Sequence, residues 1–143
     1  MALLEDELVN LEDSIDLEGG VSQFYEEELV DAVAHGLDTT TVWRAFEVSS
    51  NVGIAKLVHE NYGLTGKGDQ FIKRLKQFHL NLKTGVEIDG EPKPYIKEAY
   101  SEEDDWSGTT LPWMSIGYEV TITPLQLLTF YNAVANGGRM MKP

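Results

Sequence analysis

From Val42 to Tyr62 the apolar residues fall at helical spacing, and the run is broken once. Val42, Ala45 and Phe46 make one stripe, Ala55, Val58 and Tyr62 make the next, and Ser49-Ser50-Asn51 stands between them. A period near 3.6 residues gathers such positions on one helix face, which has to be buried. Three small polar side chains at the break fit a place where a helix begins or where a cleft is lined. Asp38 and Thr39-Thr40-Thr41 stand ahead of the first stripe and suit a helix N-cap. Gly63 follows the second stripe as a natural C′ residue.

Other elements follow from the same periodicity. Leu3, Leu4, Leu8 and Val9 predict a helix over 2–9, which starts abruptly with no cap ahead of it. Asn10 to Tyr25 reads as a loop pivoting at Gly19-Gly20, and Leu29 to His35 fits either a helix or a strand. Phe71, Ile72, Leu75 and Phe78 oppose Lys73, Arg74 and Lys76, so Gly66 to Phe78 is an amphipathic helix. Val86 to Ile88 reads as a short strand into the Asp89-Gly90 turn. Pro92 to Trp113 reads mostly as loop, punctuated by Pro92, Pro94, Gly108 and Pro112. The clearest element comes last. Thr123-Pro124-Leu125-Gln126 spells a capping box with Pro at N1, and Asn136-Gly137-Gly138 stops the helix it opens. The chain is therefore expected to be mainly α with one or two short strands.

Composition narrows the function classes. With 11 Lys+Arg against 24 Asp+Glu the formal charge is −13, which argues against a nucleic-acid binder or adhesion to anionic lipid. There is no cysteine, so disulfides, thiolate metal sites and a cysteine nucleophile are excluded. At 143 residues the chain can bury roughly 70% of its unfolded surface, enough for one core. No apolar run approaches the roughly 18 residues of a membrane span. Met1 is followed by Ala2-Leu3-Leu4-Glu5-Asp6-Glu7, which lacks the basic start of a signal peptide.

Candidate chemistry is sparse. His35, His59 and His79 are far apart, and His59-Glu60 point in diverging directions, so no metal and no cofactor is expected. Glu26-Glu27-Glu28 and Glu102-Glu103-Asp104-Asp105 lack the alternating ligands and central Gly of a calcium loop and read as solvated loops. Lys67, Lys73, Arg74, Lys76 and Lys83 form a basic cluster, read as an exposed helix face able to pair with acidic loops of the same chain. Gly66-Lys67-Gly68 lacks the Walker spacing. Hydroxyl groups are the remaining nucleophiles, and Ser49, Ser50 and Asn51 carry most weight because they break an apolar stripe.

At Ser49-Ser50-Asn51-Val52-Gly53-Ile54-Ala55-Lys56-Leu57 the chain resembles the class B penicillin-binding proteins, the peptidoglycan transpeptidases. Further stretches agree in order. Ala2-Leu3-Leu4-Glu5-Asp6 is similar to the helix after the family's nucleophile. Phe78 to Glu91, with Lys83-Thr84-Gly85-Val86 and Gly90-Glu91, resembles its segment from a helix to a Gly-Glu turn. Ser115-Ile116-Gly117-Tyr118, Thr121 to Gln126 and Ala135-Asn136-Gly137-Gly138 resemble its long C-terminal helix and the approach to it. The Ser-Ser-Asn-Val-Gly form is most similar to the division-type enzymes. The family runs on Ser-x-x-Lys, Ser-x-Asn and Lys-Thr-Gly. Only the second is expected here, as Ser49 and Asn51. No Ser-x-x-Lys occurs in the sequence. Lys83-Thr84-Gly85 spells the third motif in the wrong place, since the family's triplet follows the Asn-Gly-Gly helix stop.

The resemblance implies the all-α lobe of the serine transpeptidase and β-lactamase-like α/β fold. Residues 1–143 would be a partial transpeptidase domain, truncated at both ends. The parent would cross-link stem peptides through a serine acyl-enzyme and bind β-lactams, with Ser49 relaying a proton and Asn51 holding the base lysine and the substrate carbonyl. It would work with divisome proteins on the periplasmic side of the inner membrane, anchored by an N-terminal helix not present here. The piece alone, lacking nucleophile and base, is expected to be inactive. The alternative is a non-catalytic acidic helical module that binds a protein.

Overall fold

A computed structural model describes residues 1–87 and 89–143. The elements run α1 (Ala2–Glu5), β1 (Ser14–Asp16), a 3-10 turn (Glu18–Gly20), β2 (Val21–Phe24), β3 (Glu27–Val30), β4 (Thr39–Thr41), α2 (Val42–Glu47), α3 (Asn51–Val58), a π turn (His59–Gly63), α4 (Gly68–Gln77), β5 (Tyr95–Ile96), α5 (Thr110–Ser115), β6 (Val120–Thr121) and α6 (Pro124–Ala135). The architecture is mainly α, and its strands are short. They pair antiparallel as three two-stranded ribbons, β1 with β4, β2 with β3 and β5 with β6.

Helix α3 is the axis of the core. Val52, Gly53, Ala55, Leu57 and Val58 are all buried, so the helix is covered round most of its circumference, as a central helix must be. α2 and α5 pack on it, and so do β1 and β3. Gly53 is required by this packing: a Cβ there would lie 2.8 Å from Leu17 Cδ2 and 3.2 Å from Ala45 Cβ. α5 contributes Leu111, Pro112 and Met114. Amphipathic α4 buries Phe71 and Ile72 and keeps Lys73 in water.

Several local readings are corrected. The helix expected over 2–9 closes at Glu5, with Glu7 at a positive φ of 54°. The expected loop over 10–25 holds β1 and β2, and Leu29 to His35 begins as the end of β3. The β2–β3 hairpin turns at Tyr25-Glu26, with Tyr25 at φ 56°, and carries none of the Asn or Gly residues that mark tight hairpins. Glu27 and Glu28 accordingly lie in a strand and not in a loop, both exposed. Gly63 is not a C′ residue. It sits inside the π turn because a Cβ would meet His59 Nδ1 at 2.7 Å. Pro92 to Trp113 contains β5 and most of α5, where Pro112 occupies the first turn and forfeits no helical bond. No strand includes Val86 or Glu87, and Ile88, the end of that expected strand, lies outside the described residues.

The capping box is present as read: Gln126 N–H donates to Thr123 Oγ1 at 3.1 Å, and Thr123 N–H donates to Gln126 Oε1 at 2.7 Å. Gln126 also donates to the Leu82 carbonyl at 2.6 Å, tying α6 to the loop after α4. The basic face of α4 pairs with acids of the same chain, Lys76 with Glu98 and Arg74 with Asp6.

Asp6 closes α1 onto the rest. Its carboxylate accepts from Tyr62 Oη at 2.6 Å, Gln70 Nε2 at 3.1 Å and Arg74 Nε at 2.9 Å. Burial pushes the carboxyl up, but the bonds from Tyr62, Arg74 and Gln70 and the Arg74 charge outweigh it, leaving Asp6 below the usual carboxylate range. A depressed carboxyl stabilises the fold above its unfolded pKa of about 4 and loses that contribution as pH falls through the lower folded value. Asp6→Asn is therefore expected to lower the thermal midpoint at pH 7, and its gap to the wild type to narrow below about pH 4. Thermal unfolding by circular dichroism across pH checks this, and a gap constant down to pH 2 would refute it.

Candidate functional site

The break between the two apolar stripes is a tight turn joining α2 to α3. Thr41 caps α2 by accepting from Arg44 N–H at 3.2 Å. At the other end Ser49 N–H donates to the Phe46 carbonyl at 3.1 Å and Ser50 N–H to the Ala45 carbonyl at 2.9 Å. This is the Schellman pattern of a helix C-terminus, with Ser49 at C′ and Ser50 at C″. Ser49 has φ 56°, the left-handed conformation normally given to Gly, which costs a serine on the order of 1 kcal/mol.

Ser50 is also the N-cap of α3. Its Oγ accepts from Gly53 N–H at 2.9 Å and donates to Asp31 Oδ2 at 2.8 Å. The other oxygen of Asp31 accepts from Val52 N–H at 2.8 Å. Two of the free donors at the start of α3 are thus satisfied, one by a hydroxyl and one by a carboxylate. Ser50 is 1% exposed. It points away from solvent, as adjacent residues on a turn should.

The two flanking side chains behave differently. Ser49 is exposed and Asn51 is half-buried at the first position of α3. Among the described residues neither the Ser49 hydroxyl nor the Asn51 amide has a hydrogen-bond partner, so both are available to a ligand. Together they offer one group that donates and accepts and one amide with two donors and an acceptor. The turn itself supplies no amine. Lys56, further along α3, is engaged by Glu18 Oε1 at 2.8 Å. That bond, with help from Ser22, holds the Glu18 carboxyl below its ordinary value.

Lys83-Thr84-Gly85 lies elsewhere, in the loop that Gln126 ties to α6. Glu91 closes it, accepting from Thr84 N–H at 2.6 Å, Thr84 Oγ1 at 2.7 Å and Gly85 N–H at 3.2 Å. The Thr84 hydroxyl bond leads the group that holds the Glu91 carboxyl low. The hydroxyl and two backbone N–H groups of the triplet are spent on its own turn.

The histidines occupy separate environments. His35 stands beside Asp31, with Nε2 3.7 Å from Oδ2. His59 packs edge-on to Phe24 and Tyr25, where burial lowers its pKa against the pull of Glu60. His79 is exposed at a positive φ of 59° after α4. The acidic run after Tyr100 is internally tied: Asp104 accepts from Tyr95 Oη at 3.0 Å and Glu98 N–H at 2.8 Å.

Sequence reading missed Asp31. It sits just past β3, in the stretch that read as either helix or strand, and a lone Asp there has no local signature.

Comparison with known proteins agrees over the whole chain. A family described as "Penicillin binding protein transpeptidase domain" matches residues 1–143. Penicillin-binding protein PbpB of Mycobacterium tuberculosis is 32% identical over 138 residues, which is 96% of this chain and 18% of that protein. Penicillin-binding protein 2A of Bacillus subtilis is 34% identical over 110 residues, 69% of this chain and 14% of that protein. The chain thus spans under a fifth of the length of the curated relatives it matches. Penicillin-binding protein 3 of Mycobacterium tuberculosis, crystallised with aztreonam, superposes with TM-score 0.78 and 28% identity over 99% of this chain and 30% of that one. A peptidoglycan glycosyltransferase from Burkholderia ambifaria, at 20% identity and TM-score 0.81 over 99% of this chain and 41% of that one, shares the fold. The family match over residues 1–143 and the 32% identity to a mycobacterial relative over 96% of this chain show that the chain belongs to the penicillin-binding protein transpeptidase domain family, as a class B member.

Proposed function

We propose that residues 1–143 are the helical part of a peptidoglycan D,D-transpeptidase domain and carry its second motif, with Ser49 and Asn51 as the working side chains. The observation that carries this is that the exposed Ser49 hydroxyl and the half-buried Asn51 amide flank Ser50, which is locked inward, and that neither has a hydrogen-bond partner among the described residues. A nucleophilic serine and its lysine would come from a Ser-x-x-Lys outside these residues. That serine attacks the D-Ala–D-Ala carbonyl, the acyl-enzyme forms as D-alanine departs, and an amine of a second stem peptide takes the acyl group. Ser49 passes the proton between the lysine and the leaving or attacking amine, for which a hydroxyl that both donates and accepts is suited. Asn51 hydrogen-bonds the lysine and the substrate carbonyl without adding a charge that would shift the lysine further.

The β-lactam complexes of the mycobacterial relative support β-lactam binding by the parent protein. The Ser49-Ser50-Asn51-Val52-Gly53 form supports a role in division, hence a periplasmic, membrane-anchored parent that meets divisome proteins. Within the described residues no helix is long and apolar enough to cross a membrane. Helix α6 fits a place inside a larger domain. Its Leu127, Leu128, Tyr131 and Val134 are exposed and recur along one side of the helix. Such a face is costly to leave in water. The same face favours, as the second reading, a protein-binding module without chemistry.

Labelling with a fluorescent penicillin separates the two. The 143-residue chain alone is expected to take no covalent label; a labelled band would overturn the assignment of nucleophile and base to residues outside it. In a complete transpeptidase carrying this stretch, Ser49→Ala is expected to slow acylation by about 10²-fold or more, the range of a lost proton-transfer group. Lys83→Ala should stay within about twofold in rate, because its triplet is held in a turn closed by Glu91 and is read here as structural. Wild-type acylation by the Ser49→Ala protein would remove Ser49 from the mechanism. Slow acylation by the Lys83→Ala protein would mean that the triplet is catalytic after all.

A further inference from the structure

We infer that Asp31 is the positioning residue of the Ser49-Ser50-Asn51 turn: its carboxylate fixes Ser50 and the head of α3, and through them the directions of the Ser49 hydroxyl and the Asn51 amide. This rests on the reading of Ser49 and Asn51 as working groups.

Three features make Asp31 a fixed point. Its own N–H donates to the Gly20 carbonyl at 2.8 Å, tying it to the 3-10 turn. Its side chain is 2% exposed, so both oxygens are out of competition with water. Each oxygen holds a different part of the turn at 2.8 Å, Oδ2 the Ser50 hydroxyl and Oδ1 the Val52 N–H. The contact spans 19 residues to Ser50 and 21 to Val52, so it pins two separate segments. A charge on this spot also faces the positive end of α3.

Ser49 needs such a clamp. Its left-handed φ of 56° is disfavoured for a side-chain-bearing residue, and only surroundings that over-determine the turn keep it there. Releasing Ser50 frees the turn to relax toward ordinary helical geometry. Relaxation would swing both neighbouring side chains. Proton relay demands hydrogen-bond contact, and a displacement near 1 Å can cost about 10²-fold in rate.

Asp31→Asn tests the role with little change of shape. Its amide keeps an oxygen for Val52 N–H but presents an NH₂ to the Ser50 hydroxyl, which can then only accept from it and loses the carboxylate that took its proton. In the complete transpeptidase, titrated for active sites, Asp31→Asn is expected to lower the first-order acylation constant for benzylpenicillin by about tenfold or more. The dissociation constant of the pre-covalent complex should move less than about threefold. Ser50→Ala, which spares the carboxylate, is expected to show the same split. The double variant should be no slower than the slower single one, since both remove one linkage. A purely structural role predicts lower melting temperatures with normal acylation per active site. That outcome overturns the inference, as do additive losses in the double variant. If Asp31→Asn does not fold, Ser50→Ala alone decides by the same constants. Failure of the underlying reading looks different: the wild type is not acylated, or Ser49→Ala acylates normally.

Discussion

One hydroxyl, that of Ser50, joins the head of α3 to Asp31, just past β3. It ends α2 by position, begins α3 by accepting from Gly53 N–H and anchors both to Asp31 by donating its proton. A serine has one proton and two lone pairs, and here the proton and one lone pair are committed within 3 Å. Removing the hydroxyl would leave buried donors and acceptors unpaired, and each such loss costs about 1–3 kcal/mol. The unpaired state of the Ser49 and Asn51 side chains among the described residues follows from this. Both lie one residue from a fixed point, so neither has to contribute to holding the turn.

The core and the site are therefore one construction. Gly53, which leaves room for Leu17 and Ala45, also brings its own N–H to Ser50 Oγ; a Cβ there would approach that oxygen to 3.1 Å as well. Packing density at the middle of α3 and polar satisfaction at its head impose the same residue. A second buried carboxylate, Asp6, works by the same logic at the other end of the molecule, drawing α1, the π turn and α4 together. In a chain of net charge −13, these two acids are withdrawn from solvent and given donors, as buried carboxylates must be.

What the sequence made legible was local. The capping box of α6 needs only residues 123 to 126, and the face of α4 only its own periodicity, so both could be read directly. Ser49 to Asn51 stood out because small polar residues broke an apolar stripe. The hairpin at Tyr25-Glu26 was hidden, because its turn uses a left-handed tyrosine where the readable signals are Asn and Gly. α5 was hidden by Pro112, which breaks helices except in the first turn. Gly63 carried a false signal, since steric room for His59 and helix termination call for the same residue. Asp31 was not legible at all. Its meaning depends on a pairing 19 residues away in sequence, and no periodicity or spacing rule reaches that far.

Lys83-Thr84-Gly85 shows why a pattern needs its surroundings before it means chemistry. A triplet that binds a ligand through its hydroxyl and backbone must present those donors free. Here Glu91, six and seven residues on, takes the hydroxyl and two backbone N–H groups into a closed turn. The Ser49 turn has the opposite arrangement. Its internal donors are satisfied by Ser50 and Asp31, and the groups left over face outward. The two motifs differ by where their hydrogen bonds already go, and that accounting, more than the letters, separates a structural turn from a site that still has bonds to offer.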